Sequence, residues 1–70
     1  MEFKVDGEFI KLDSLLKAAN VVSSGGEAKI MIIEEKVLVN GEVEIRRGRK
    51  IYPGYEVICK FADNLKILVH

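Results

Sequence analysis

Nine consecutive residues, Val37-Leu38-Val39-Asn40-Gly41-Glu42-Val43-Glu44-Ile45, constrain the fold more than any other part of this chain. Two alternating segments flank an Asn-Gly pair, and that dipeptide suits a type I′ turn because both central residues take positive φ. The segment therefore reads as a β-hairpin. A hairpin is not stable alone, so the rest of the chain has to supply a layer to cover it. Seventy residues make one domain near the lower size limit for unaided folding, and 49% hydrophobic content provides one core. That leaves too little chain for a deep, walled catalytic cleft. Binding across a surface is the better expectation.

The covering layer is helical. Leu12, Leu15, Leu16 and Ala19 fall at i, i+3, i+4 and i+7, one face of an amphipathic helix over residues 12 to 19. Asp13 and Ser14 suit the free amides of its first turn, and Asn20 suits a left-handed stop. Ser24 and Glu27 then have capping-box spacing, which predicts a second helix from about Gly25 to Glu34 or Glu35. Its core face is Ala28, Met31 and Ile32, while Ile30 and Ile33 form a second apolar stripe. An N-terminal hairpin, Phe3 and Val5 against Phe9 and Ile10 around Asp6-Gly7, is expected to cover that stripe. The alternative cover is a partner. Further on, Pro53-Gly54 fits a type II turn, and Glu56 to Phe61 and Lys66 to Val69 read as closing strands. The expected architecture is α+β, two packed helices against a small, mostly antiparallel sheet.

Several function classes fall away. The single histidine, His70, is the last residue, so no Ser/His or Cys/His pairing is held in place. The lone Cys59, among Val57, Ile58 and Phe61, reads as a packing residue and excludes a disulfide framework or thiolate cluster. No metal or cofactor constellation is present. The start lacks a signal peptide's pattern and the longest apolar run, Ile30 to Ile33, is far short of a membrane span. These features lead us to expect a soluble, cytoplasmic protein that is not an enzyme.

The formal net charge is zero, yet residues 46 to 50 hold Arg46, Arg47, Arg49 and Lys50 with no acid among them. The first ten residues carry Glu2, Asp6 and Glu8 against Lys4 alone, so the molecule is neutral but polarised. Arginine's planar fork can pair bidentately with phosphate, and Gly48 lets a backbone approach. The competing reading is a solvated loop balanced by Glu42 and Glu44. Ser24, Gly25 and Gly26 leave amides free at the second helix's start, where an anion is favoured, with Lys29 one turn in. Self-capping explains the same serine. Lys17 and Lys11 are weaker candidates. Tyr52 and Tyr55 flank the Pro-Gly turn and read as packed rings with wet hydroxyls, though stacking on a base is open to them.

The order of these pieces resembles the ribosomal protein S-four-like RNA-binding domain, the alpha-L motif, in its stand-alone bacterial form. The likeness is carried by residues 12 to 19, by Ser24-Gly25-Gly26-Glu27-Ala28-Lys29, and by Val37 to Glu42. It continues through Arg46-Arg47-Gly48-Arg49-Lys50 to Pro53-Gly54, about residues 9 to 58 of a single domain spanning 1 to 70. Two positions depart from the pattern. Glu35-Lys36 stand where the family commonly has glycine, so one of them must take a left-handed conformation, and Tyr55 replaces the usual aspartate. The resemblance implies non-catalytic binding of structured RNA, ribosomal or transfer RNA, by the helix pair and the following loop. Other readings are a protein-interaction module using Ile30 and Ile33, or DNA binding, for which the second helix offers only Lys29 and Lys36. On the RNA reading a monomer is expected, and neutralising the four basic residues should remove binding and leave the fold intact.

Overall fold

Val39 and Glu42 face each other across the Asn40-Gly41 turn, whose central residues have φ of 52° and 85°. The type I′ hairpin forms as its sequence demands. It belongs to a computed structural model that describes residues 1–70. The elements are β1 (Glu2–Phe3), β2 (Ile10–Lys11), α1 (Leu12–Ala18), α2 (Gly25–Ile33), β3 (Val37–Val39), β4 (Glu42–Val43), β5 (Lys50–Ile51), β6 (Glu56–Cys59) and β7 (Leu65–Val69), with a short 3-10 turn over Lys60–Ala62. The main sheet has the order β1-β7-β6-β3-β4, antiparallel except for the β1–β7 pair, and β2 with β5 makes a small antiparallel ribbon. This is the expected α+β architecture.

One face of the sheet presents Val37, Val39, Val57, Cys59, Ile67 and Val69, all buried. Against it pack Leu12, Leu15 and Leu16 of α1, Ala28 and Ile32 of α2, and Ile51 of β5. Fully burying a side chain of this size stabilises by about 1.5–3 kcal/mol, so this shared interior holds the layers together. Cys59 is in it, and burial pushes its thiol up to about 11, which makes it a packing residue and a poor nucleophile.

Both helices end in the same way. After α1, Asn20 is left-handed (φ 64°), its N–H donates to Lys17 O, and Val21 N–H donates to Leu16 O. After α2, Glu35 takes that role at φ 63°, with Glu35 N–H donating to Ile32 O and Lys36 N–H to Met31 O. Both are Schellman endings, and the second puts a residue with a Cβ where glycine is the unstrained choice. At the start of α2, Ser24 Oγ accepts from Glu27 N–H at 3.1 Å. The Glu27 carboxylate does not return to Ser24; it accepts from Ser23 Oγ at 3.1 Å.

Two expectations are corrected. The N-terminal hairpin does not form, although the chain does bend at Gly7 (φ 108°). Phe3 pairs with Val69 and Ile10 with Ile51, so the two halves join different sheets. The open edge of β7 accounts for this: Leu68 N–H donates to Met1 O, His70 N–H to Phe3 O, and Val5 N–H to His70 O. Consequently nothing covers the second apolar stripe of α2, and Ile30 and Ile33 are 53% and 54% exposed.

Candidate nucleic-acid interface

Helix α1 has no side-chain cap at its start. Leu12 N–H donates instead to Arg49 O at 2.9 Å, and Asp13 N–H to Arg47 O at 3.1 Å. The backbone of the basic loop thus serves as the cap, satisfying amides that a helix cannot satisfy itself. Pairing of β2 with β5 clamps the loop from the other side. The loop is therefore a fixed part of the fold, joined to α1 through its main chain.

Its side chains are oriented by two carboxylates. Glu44 is buried, and its Oε2 accepts from Ile45 N–H (3.1 Å), Arg46 N–H (3.0 Å) and Arg46 Nε (3.0 Å). Its Oε1 accepts from Arg46 Nη2 (3.2 Å) and Arg49 Nη1 (2.7 Å). The Arg46 hydrogen bond, opposed by burial and assisted by Arg49, holds the Glu44 carboxyl down at about 2. The same bonds raise both guanidinium groups above their ordinary value. Arg46 uses Nε and one Nη2 hydrogen on Glu44 and keeps Nη1 for another acceptor.

Arg47 points elsewhere. Its Nε donates to Asp13 Oδ2 at 2.9 Å, and a methyl group on Gly25 would lie 3.8 Å from its Nη2. One guanidinium therefore pairs with the start of α1 and lies near the start of α2. Beside it, the Gly25 and Gly26 N–H groups have no acceptor within the protein. On the ribbon, Lys50 stands directly opposite Lys11, with Lys50 Nζ 4.9 Å from the Phe9 ring centroid. Like charges directly opposite destabilise a strand pair, so this one concentrates charge at a cost to stability.

The S4 domain family matches residues 3–68, nearly the whole chain. The chain belongs to the S4 domain family. A protein of Bacillus subtilis (strain 168), named probable ribosome maturation protein RlbA, is 52% identical to it over 50 residues, 71% of this chain and 70% of the relative.

In this S4 domain the fold places Arg46, Arg49 and Lys50 around one cleft and Arg47 near Gly25, while the Ser24 hydroxyl caps α2 beside Gly26. Lys29 and Lys17 are exposed on α2 and α1 and make no ion pair. The charge run is less free than its sequence suggests, because Asp13 and Glu44 engage three of its four cations. That also corrects the expectation that the four could be neutralised without affecting the fold. Replacing Arg46 and Arg49 would strand the buried Glu44 carboxylate, a costly change. Sequence reasoning noticed Glu44 only as a balancing charge and passed over Asp13 as a partner; neither pairing leaves a spacing signal. Lys11 is promoted by its register opposite Lys50.

Proposed function

We propose that this S4 domain binds structured RNA, ribosomal or transfer RNA, without catalysing a reaction on it, and that it serves ribosome maturation. The name of its Bacillus subtilis relative supports the second clause. We take residues 1–70 as one RNA-binding unit that works as a monomer in the cytoplasm; no helix in it is long and apolar enough to cross a membrane. The observation that carries the reading is the fixed basic loop, whose Arg47 pairs with Asp13 at the start of α1 and has its Nη2 near Gly25 at the start of α2. Arg46, Arg47, Arg49 and Lys50 would neutralise phosphates, with Ser24, Gly25, Gly26, Lys29 and Lys17 extending the contact along the helices. Shape would set selectivity more than base sequence.

Filter binding of a folded RNA across a salt series tests this. Arg47→Gln with Lys50→Gln should weaken binding and flatten the salt slope by roughly one unit for each phosphate that is no longer neutralised. The full removal of charge, which also replaces Arg46 and Arg49, needs Glu44→Gln in the same chain to keep the fold. Unchanged affinity in these variants would sink the assignment.

The exposure of Ile30 and Ile33 favours a second reading, docking of a protein on α2. Sedimentation at several concentrations, with and without Ile33→Gln, tests it: association that disappears in the variant supports that reading. DNA binding is weaker, since Lys36 is turned to Glu34 at 3.9 Å and Lys29 alone remains on α2.

A further inference from the structure

Tyr52 and Tyr55 are three residues apart, and the turn between them determines where their rings go. Gly54 takes φ 97° and Tyr55 N–H donates to Tyr52 O at 3.1 Å, a type II turn with Pro53 presetting its first corner. Two further bonds anchor the turn to β7: Gly54 N–H to Val69 O at 2.7 Å, and Val69 N–H to Tyr55 O at 3.0 Å. The tyrosine rings are thereby held with centroids 5.7 Å apart, and the Phe9 ring centroid also lies 5.7 Å from that of Tyr52, both pairs tilted. Together the two tyrosines form the aromatic wall of a shallow, largely open cleft of about 500 Å³, lined otherwise by Arg46, Gly48, Arg49 and Lys50.

The chemistry of this lining is selective. Three cations and two aromatic rings face the space, while Glu44 lies behind Arg46 and Arg49 with 7% of its side chain exposed. A ligand suited to it has an anionic end and a flat π face. The two tyrosines differ in availability. Tyr55 packs against the core and has the Arg49 guanidinium 5.8 Å from its ring centroid, whereas Tyr52 is not part of the core packing. At Gly48 nothing lies within 4 Å of where a Cβ would stand, so that side of the cleft is clear. Its volume is at the small-ligand end of binding sites, enough for one nucleotide and too little for a duplex.

We propose that this cleft receives one unpaired nucleotide of the bound RNA, its base laid on Tyr52 and its phosphate held by Arg46 and Lys50. The proposal rests on the RNA reading above and adds to it a place where a bulged or looped-out base is read by stacking. Glu44 fixes Arg46 and Arg49 beforehand, so little side-chain freedom is lost on binding. Base-on-aromatic stacking is removed by a single substitution at Tyr52, and such losses run from several-fold to roughly a hundredfold in affinity.

The test uses blunt duplex RNA, fully paired or with one bulged adenosine, and adenosine monophosphate alone. The chain has two tyrosines and no tryptophan, so labelled tyrosine rings give NMR signals from this wall only. The bulged duplex should bind about tenfold tighter than the paired one and move the tyrosine ring signals upfield. Tyr52→Leu should erase that difference while leaving the paired duplex at its original affinity, and Tyr52→Phe should preserve it. Unmoved ring signals, or equal weakening of both duplexes by Tyr52→Leu, would overturn the cleft's role while leaving RNA binding standing. Adenosine monophosphate binding as tightly as the bulged duplex would assign the cleft to a free nucleotide and overturn the RNA-borne source. If neither duplex binds, the RNA reading itself fails, and the cleft proposal with it.

Discussion

Glu44→Gln is the sharpest perturbation of this surface, because one carboxylate orders two of its arginines. Glutamine keeps the volume, but its amide nitrogen cannot accept from a guanidinium, so the five bonds that Glu44 accepts cannot all be remade. In the folded protein the carboxyl is lowered from 4.5 to about 2, which corresponds to ~3 kcal/mol of linkage. Because the Arg46 side chain is 71% exposed, solvent screening reduces this to ~2 kcal/mol. In a domain of this size that lowers Tm by roughly 8–16 °C near neutral pH. The sign follows from the direction of the shift. A carboxyl depressed on folding stabilises fully above about 4.5, and the stabilisation fades as pH falls towards about 2. Thermal unfolding followed by circular dichroism, for parent and variant from neutral pH down to about 2.5, should show the gap closing below about 4.5. Equal melting temperatures at neutral pH, or a gap undiminished at the acid end, would refute this account of how the loop is held.

Other outcomes follow from the same structure. Glu35→Gly should stabilise the fold by about 1 kcal/mol, since a left-handed non-glycine residue is strained; an unchanged denaturant midpoint would remove the strain argument. Asp13→Asn should raise RNA affinity about threefold, the scale of one partly exposed ion pair, because it releases Arg47 and removes a competing anion. A loss of affinity there would mean that Asp13 positions Arg47 for binding. Cys59, fully buried and with its thiol at about 11, should label with a thiol reagent only at the rate of unfolding; prompt labelling of the native protein would contradict its burial.

The sequence by itself determined the local devices of this S4 domain and their order. Asn40-Gly41 and Pro53-Gly54 dictate turns through φ alone, Leu12 to Ala19 repeats with helical period, and Ser24 caps within one turn. The left-handed position at Glu35 was also readable, as the missing glycine of a helix stop. All of these are decided within a few residues, where steric limits and hydrogen-bond reach leave few alternatives. Family membership followed because it is written in that order.

Pairing between distant segments was decided only in the tertiary structure. Asp6-Gly7 bends the chain, but β7 and β5 offered better partners for the strands on either side than those strands offered each other. Parity across the hairpin acted in the same way. With Val37 and Val39 facing the core, a two-residue turn puts Val43 opposite Leu38 on the outer face and brings Glu44 N–H to Val37 O on the inner side. Along this arm of the hairpin Val43 and Ile45 are therefore exposed and Glu44 is buried, the reverse of what their polarity alone would assign. From that inversion come the fork on Arg46 and Arg49 and the open aromatic cleft beside them. A charge run can be read along the chain, but the carboxylates that aim it are chosen by register, which is counted across strands.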